Sequence, residues 1–172
     1  IKKNFSDIEI TTLQRKLANR WVDKIKNKEL EKEVENYDIF KEIILIGILG
    51  YPPDEIKFEK KDVEFSVTDV DEITHVVFEA KGTKTKDLFA RQTSYEKKEQ
   101  EHPVIQTVSN MQRFAPPAAY GVCTNYDDFV LLDRNLGITK CHRFTFTDVK
   151  NNQEKLQEFI GIFSYEKLVK QK

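Results

Sequence analysis

The chain has few of the features that mark several large classes of protein. It contains two cysteines, Cys123 and Cys141, in 172 residues and no C-x-x-C pair, which argues against a disulfide framework or a zinc ribbon. No apolar run reaches the ~18 residues that span a bilayer. The longest run is IILIGILG at 43–50, and no signal peptide opens the chain. We therefore expect a protein of a reducing, cytoplasmic compartment.

Motifs for nucleotide binding and acyl transfer are missing as well. The stretch GTKTK at 82–86 lacks the spacing of a phosphate-binding Walker A loop, and the chain has no G-x-S-x-G motif. Cys123 lies in an apolar run and its spacing from His142 does not suit zinc, so a buried thiol is the simpler interpretation. We interpret His102, next to a helical pattern, as a cap or surface residue.

Charge is nearly balanced over the whole chain but not locally. With 28 Lys+Arg against 29 Asp+Glu the formal net charge is −1, which argues mildly against a surface that binds nucleic acid everywhere. Between positions 81 and 98, however, six basic residues stand against two acidic ones. We predict that this basic segment contacts a DNA backbone, with ordinary solvated surface as the alternative.

Length and composition suit one folded domain. At 39% hydrophobic and 33% charged residues the chain has the balance of a globular protein. We assign a single domain over 1–172, with N-terminal helices at 6–50, an α/β core at 56–149 and a C-terminal helix at 152–170. Because the chain begins with Ile1 and not Met, we expect a piece of a longer protein, with the last helix leading to a missing region.

Helical periodicity marks four segments. Apolar residues recur every four positions after a capping-box pair at Ser6 and Glu9, which predicts a first helix from Ser6. A second segment stops at Gly50, ahead of two prolines. A third opens at Pro103, and a fourth covers 156–163. The charged run KIKNKELEKEVE, between the first two segments, is predicted to be a solvated helix face.

Strand patterns fill the space between the later helices. DVEFSVTD at 62–69 alternates like a half-buried strand with Asp62 on its polar face, and ITHVVFEAK at 73–81 is apolar on both faces, as a central strand is. Three further strand patterns are AYGVCT, DFVLLD and HRFTFTDV. Together these elements predict an α/β domain with a mixed central β-sheet flanked by helices.

One Glu-x-Lys tripeptide differs from the others in its setting. The tripeptide occurs at Glu55/Lys57, Glu59/Lys61, Glu79/Lys81 and Glu96/Lys98. Only Glu79 and Lys81 end a strand that is apolar on both faces, where side chains at i and i+2 share a face ~6.6 Å apart. Counting outward from the turn at 69–72 puts Asp62 at the same end of the hairpin. Taken alone, Glu79 and Lys81 could instead be a strand-end ion pair of little energetic value.

The residue types at this predicted site suit phosphodiester hydrolysis. The carboxylates of Asp62 and Glu79 with the backbone carbonyl of Ala80 are hard oxygen ligands of the kind Mg²⁺ prefers, completed by water and substrate phosphate. The ammonium of Lys81 could orient the attacking water and offset negative charge in the transition state.

An Asp, a hairpin and then Glu-x-Lys in this order resemble the PD-(D/E)XK nuclease superfamily. The segments FKEIILIGILGYP at 40–52, HPVIQTVSNMQRF at 102–114 and AYGVCTNYDDFVLLDR at 119–134 extend the resemblance to the N-terminal endonuclease domain of Type IIG-like restriction-modification enzymes. Asp62 follows Lys61 and not a proline, so the "PD" half is incomplete. Asp54, in PPD, precedes the strand pattern.

The resemblance implies a restriction-endonuclease-like fold and a metal-dependent deoxyribonuclease. It implies Mg²⁺ as cofactor, with Mn²⁺ able to substitute, and double-stranded DNA as partner in a bacterial or archaeal cytoplasm. It also implies covalently linked methyltransferase and target-recognition domains outside this chain. The alternatives are a non-catalytic DNA-binding or scaffolding module with a nuclease-like fold, and the nuclease domain of a Type I-like restriction motor subunit.

The resemblance also assigns residues around the predicted triad. Gln106 matches a glutamine on a helix over the site, and a glutamate of the second helical segment, Glu35 or Glu42, would complete the metal site. The residues expected to contact DNA are Lys84, Lys86, Arg91 and Asn125.

Overall fold

The structure, a computed structural model, describes residues 4–90 and 102–171. Within these ranges the chain forms a six-stranded mixed sheet flanked by helices, which confirms the predicted α/β class. The strands are β1 Ile56–Lys60, β2 Val63–Thr68, β3 Thr74–Ala80, β4 Tyr120–Thr124, β5 Asp128–Asp133 and β6 His142–Thr145. They lie in chain order across the sheet; β3 and β4 are parallel, and the other neighbouring pairs are antiparallel.

Four helices accompany the sheet in the described ranges. They are α1 Thr12–Lys26, α2 Tyr37–Phe40 with a π-helical continuation at Lys41–Ile48, α3 Pro103–Met111 and α4 Gln153–Phe163. A short 3₁₀ turn at Val34–Asn36 leads into α2, and π-helical turns at Glu166–Lys170 follow α4. No helix of the described residues is both long and apolar enough to cross a membrane.

The first helix begins later than its sequence pattern predicts. Its capping box is formed by Thr11 and Gln14: Gln14 N donates to Thr11 Oγ1 at 3.0 Å, and Thr11 N donates to Gln14 Oε1 at 2.9 Å. The pair Ser6/Glu9 has the same spacing but caps no helix, so the predicted start was wrong. The second helical segment does end as predicted, because Gly50 adopts a positive φ of 73°.

The edge strand β1 was not predicted, and it changes the position of Asp62. β1 pairs with β2 through Phe58↔Phe65 and Lys60↔Val63, which leaves Lys61 and Asp62 as a two-residue turn. Both turn residues have positive φ, 53° and 62°, as a type I′ hairpin requires. Asp62 is therefore a turn residue and not the first residue of the strand.

Two apolar clusters occupy the two faces of the sheet. The larger one packs α1, α2 and α4 on the sheet around aromatic side chains such as Trp21, Phe40 and Phe159. The smaller one packs α3 through Val104 and Met111. Cys123 is fully buried in it, as predicted, and His102 caps α3 by accepting from Ile105 N at 3.2 Å. These contacts place α3 over the central strands β3 and β4.

Candidate active site

The charged end of β3 is buried and not exposed. Glu79 is 6% exposed and Lys81 is 9% exposed, and Glu79 Oε1 lies 3.2 Å from Lys81 Nζ. Strand pairing continues beyond the last residue of β3, because Lys81 N donates to Thr124 O at 2.7 Å. An exposed strand-end ion pair, the alternative interpretation of Glu79 and Lys81, therefore does not describe this site.

A residue of α3 binds the other oxygen of Glu79. Asn110 Nδ2 donates to Glu79 Oε2 at 2.9 Å, and the Asn110 side chain is buried. With Lys81 on one oxygen and Asn110 on the other, the Glu79 carboxylate has a fixed orientation. Sequence reasoning missed Asn110; the available signal was its position one helical turn after Gln106, on the same face of α3.

A second carboxylate comes from β2. The printed pairing of β2 with β3 ends at Phe65 and Phe78, so Glu64 and Glu79, each one residue further along, lie at the same end of the hairpin. Glu64 Oε2 accepts a hydrogen bond from Ala80 N at 2.8 Å, so it lies against the end of β3. The predicted metal role of the Ala80 carbonyl stays a prediction.

Asp62 does not join this group. Its side chain is 97% exposed, and its ion-pair contact is with Arg113 Nη1 at 3.9 Å. The structure thus corrects the predicted position of Asp62, because Glu64, two residues later, is the β2 acid that contacts the end of β3. The physical reason is the tight turn at 61–62, which leaves the Asp62 side chain in solvent.

A third carboxylate comes from Glu33. The predicted candidates were Glu35 and Glu42. Glu33 Oε2 lies 3.7 Å from Lys81 Nζ. Glu35 is exposed and pairs with Lys32 at 3.3 Å, and Glu42 is exposed on the π-helical segment. Both predicted glutamates are thus exposed, and the prediction that one of them completes the metal site stays a prediction. Glu33 belongs to the charged run that was predicted to be a solvated helix face, but the first helix ends at Lys26 and the run continues as turns up to Glu33.

The backbone at Gly82 explains how Glu33 reaches Lys81. A Cβ at Gly82 would collide with the backbone carbonyl of Glu31, so only glycine allows the two segments to approach this closely. Thr83 N donates to Leu30 O at 2.8 Å and joins the same two segments. The chain around Glu33 is thereby held against the end of β3.

Two tyrosines donate hydrogen bonds to Glu33. Tyr37 OH donates to Glu33 Oε1 at 3.4 Å. Tyr126 OH donates to the backbone oxygen of Glu33 at 2.7 Å, while Trp21 Nε1 donates to Tyr126 O at 2.8 Å. These aromatic residues, of which Trp21 and Tyr126 are fully buried, anchor Glu33. We call Glu33, Glu64, Glu79 and Lys81 the acidic cluster.

Burial and mutual repulsion shift the pKa values of this acidic cluster. Burial, together with the charge of Glu79, raises the pKa of Glu64 to about 7. Burial also raises the pKa of Glu79, against the opposing effect of Lys81. Burial lowers the pKa of Lys81, but the three carboxylates outweigh it and the net shift is upward. Three carboxylates against one ammonium leave an excess of negative charge, which favours uptake of a proton or a cation.

The donor set suits a metal ion that keeps most of its water. Among residues 4–90 and 102–171, no three His, Cys, Asp or Glu side chains are arranged to hold a metal ion by themselves. Mg²⁺, however, is often bound through only one or two carboxylates, with water and substrate phosphate as its other ligands. Glu64 and Glu79, at the same end of the β2–β3 hairpin, supply that number of carboxylates.

Gln106 lies on α3 one turn before Asn110. Its Oε1 atom is buried and has no hydrogen-bond partner among the described residues. A buried polar atom without a partner is unusual and is a common mark of a functional position. The role of Gln106 at the active site stays a prediction.

The residues expected to contact DNA divide into three groups. Lys84 and Lys86 are exposed on the segment after β3, although Lys84 Nζ lies 3.7 Å from a carboxylate oxygen of Glu31. Arg91 lies outside the described residues. Asn125 is buried, and its side chain is used within the fold.

Asn125 has a structural role. Its Nδ2 donates to Thr85 O at 2.8 Å, and its Oδ1 accepts from Asp127 N at 3.1 Å and Asp128 N at 2.7 Å. This pattern shapes the turn between β4 and β5. The predicted contact of Asn125 with DNA stays a prediction.

Comparison of the chain with protein-family models, with curated proteins and with solved structures finds no match. The likeness to PD-(D/E)XK nucleases therefore depends on the ordered sequence motifs. The physical case for a functional site depends on the buried charges at the end of β3.

Proposed function

We propose that the chain is a Mg²⁺-dependent DNA endonuclease domain of the PD-(D/E)XK type, the N-terminal part of a larger restriction-modification protein. The observation that carries the proposal is the ammonium of Lys81 buried beside the carboxylates of Glu79 and Glu33, with Glu64 bonded to the neighbouring backbone at Ala80. Excess buried negative charge destabilises a fold. Perturbed ionisable groups gathered in this way favour a functional site.

Each residue has a distinct role in the proposed reaction. Glu64 and Glu79 would hold Mg²⁺, which when bound polarises a phosphoryl oxygen and lowers the pKa of water. The ammonium of Lys81 orients the attacking water and stabilises negative charge that develops on the phosphate. Asn110 keeps the Glu79 carboxylate in one orientation. The exposed side chains of Lys84 and Lys86 would contact the DNA backbone.

The proposed partners follow from the same assignment. Double-stranded DNA is the substrate, and linked methyltransferase and target-recognition domains outside this chain would supply sequence specificity. The cytoplasm of a bacterial or archaeal cell is the proposed compartment.

Replacing the two central residues tests the proposal. In the longest form of the protein that contains this chain, Glu79→Gln and Lys81→Ala should each lower Mg²⁺-dependent DNA cleavage by roughly 100-fold or more. The measurement is the single-turnover cleavage rate, with DNA binding and circular dichroism recorded on the same samples. DNA binding should be retained. Unchanged cleavage by either folded variant contradicts the assignment.

A non-catalytic DNA-binding module is the second candidate, and one observation favours it. Lys81 Nζ is already 3.2 Å from one carboxylate and 3.7 Å from another, so the chain itself neutralises part of the buried charge. Such a module binds DNA without divalent ions and takes up no Mn²⁺ in a calorimetric titration. The endonuclease shows saturable Mn²⁺ binding that Glu79→Gln weakens.

A further inference from the structure

Lys81 is buried beside two carboxylates that come from separate parts of the chain. Its Nζ atom lies 3.2 Å from Glu79 Oε1, two residues earlier in the chain, and 3.7 Å from Glu33 Oε2, in the segment before α2. The side chain of Lys81 is 11% exposed and that of Glu33 is 35% exposed, so this contact is partly shielded from solvent. The position of the ammonium therefore depends on both acids.

The backbone around Glu33 is fixed by contacts that do not involve Lys81. Tyr126 OH donates to Glu33 O at 2.7 Å. The residues just before Glu33 pack on the loop after β3, where Thr83 N donates to Leu30 O at 2.8 Å. These bonds hold the backbone from which the Glu33 carboxylate reaches Lys81.

The Glu33 side chain has no capping role. Glu33 precedes the 3₁₀ turn at Val34–Asn36 as its N-cap residue, yet its side chain makes no capping hydrogen bond. Its Oε1 atom instead accepts from Tyr37 OH at 3.4 Å, and its Oε2 atom lies beside Lys81 Nζ. One oxygen of the carboxylate thus binds a neutral donor, and the other pairs with the ammonium.

A second acid beside Lys81 is useful because Glu79, the first one, is also the proposed metal ligand. An ammonium group has three donors and no acceptor, so it can bind two carboxylates at once. A cation held by Glu79 would repel the neighbouring ammonium. With Glu33 as a partner, Lys81 keeps an attractive contact that is independent of Glu79.

We propose that Glu33 is a positioning residue that holds the Lys81 ammonium in the site, and that it is not a third ligand of the metal ion. This inference rests on the proposed function, and it assigns Glu33 no contact with substrate or metal. The contacts of the Glu33 carboxylate with Lys81 and with the Tyr37 hydroxyl group support this role.

The first test is Glu33→Gln, which removes the charge and keeps the size of the side chain. We expect the single-turnover cleavage rate at saturating Mg²⁺ to fall between about 10- and 100-fold, because Lys81 is no longer held in place. Mn²⁺ affinity, measured by calorimetry without DNA, should stay within about threefold of the wild type, because no ligand is lost. A merely structural role would not separate these two quantities.

A double-mutant cycle tests whether Glu33 acts through Lys81. Lys81→Ala removes the ammonium that Glu33 is proposed to hold. Adding Glu33→Gln to Lys81→Ala should therefore change the cleavage rate by less than about twofold, since the effects of residues that act as a unit are not additive. If Glu33 acted independently of Lys81, the two losses would multiply.

Glu29→Gln is the matched control. Glu29 Oε1 lies 3.7 Å from Lys24 Nζ, the same distance as in the Glu33 pair, and the Lys24 side chain is 15% exposed. This variant therefore also removes an ion pair with a largely buried lysine, but outside the acidic cluster. It should keep the wild-type cleavage rate and Mn²⁺ affinity. All variants are measured at a temperature where melting curves show each to be fully folded.

The outcomes separate this inference from the proposed function. If the wild type cuts DNA and Glu33→Gln cuts at the same rate, or slows Lys81→Ala by its own full factor, the positioning role is refuted and the endonuclease proposal is unaffected. A fall in Mn²⁺ affinity of about 10-fold or more would make Glu33 a metal ligand and also refute the role. If the wild type binds no Mn²⁺ and cuts no DNA, the proposed function fails and the inference with it. A slower rate with retained affinity, absent from Glu29→Gln and from the Lys81→Ala background, supports the role.

Discussion

Glu64 brings its carboxylate into the acidic cluster, while Asp62, two positions earlier, leaves its own in solvent. The difference comes from the tight turn at 61–62, which ends before β2 begins. A side chain that is 97% exposed interacts only weakly with charges elsewhere in the protein. At the residue scale, Glu64 is therefore the acid that shares the site with Glu79.

Exchanging these two acids for their amides tests that assignment. Glu64→Gln should weaken both Mn²⁺ binding and DNA cleavage by on the order of 10- to 100-fold, because a proposed metal ligand loses its charge. Asp62→Asn should behave like the wild type in both assays, which are calorimetric titration and single-turnover cleavage. The opposite result, with Asp62→Asn inactive and Glu64→Gln active, would restore Asp62 as the ligand.

At the scale of the elements, the loop after β3 requires a glycine at position 82. Gly82 allows the segment at 30–33 to pack directly on the end of β3, and this packing brings Glu33 to Lys81. The contact is between backbones, so no side-chain rotation can make room for an added methyl group. The loop and the segment before α2 act as one unit in building the site.

Gly82→Ala should therefore affect both stability and activity. We expect a loss of about 1–3 kcal/mol in the free energy of unfolding, as overpacking of this kind typically causes. We also expect slower cleavage, because Glu33 moves away from Lys81. Urea unfolding and single-turnover cleavage measure the two effects.

Gly137→Ala is the comparison variant for Gly82. Gly137 has a φ of 67° and nothing within 4 Å of an added Cβ, so alanine there strains the backbone in open space. Gly137→Ala should lower the free energy of unfolding by about 1–2 kcal/mol and leave the cleavage rate unchanged. If the two variants lose stability alike and both keep full activity, the packing at Gly82 does not position the site.

For the molecule as a whole, the buried acids make stability depend on pH. The pKa of Glu64 is raised from 4.5 to about 7 in the folded state. Between those values the folded protein binds more protons than the unfolded chain. Stability therefore falls as pH rises through this window and is lowest, as far as Glu64 is concerned, above the folded pKa. The raised pKa of Glu79 acts in the same direction.

Denaturant unfolding in EDTA at several pH values between 4.5 and 8 measures this effect. The wild type should lose on the order of 3 kcal/mol across the window through Glu64. Glu64→Gln should show a flatter profile, because an amide does not titrate. Glu35→Gln, at an exposed position, should keep the wild-type slope. Equal slopes in all three proteins would show that the Glu64 carboxyl is not buried as described.

The sequence by itself determined most of the elements and the centre of the site. Strands β2 to β6, helices α3 and α4 and the end of the second helical segment follow from local periodicity, turn residues and caps. Glu79 and Lys81 could be identified because a central strand is expected to be apolar on both faces. The strand that contains Glu79 is apolar on both faces but has two charged residues at its end. These are short-range patterns, so they can be recognised in a single sequence.

Which other residues contact Glu79 and Lys81 depends on the tertiary structure. β1 is short and charged, as edge strands often are, so its pattern was not recognised and the turn at 61–62 was missed. Because of that turn, the β2 carboxylate at the site belongs to Glu64 and not to Asp62. Asn110 and Glu33 reach the site through the packing of α3 on the sheet and of the segment at 30–33 on Gly82. Strand register and inter-element packing are long-range contacts, and periodicity along the chain does not specify them.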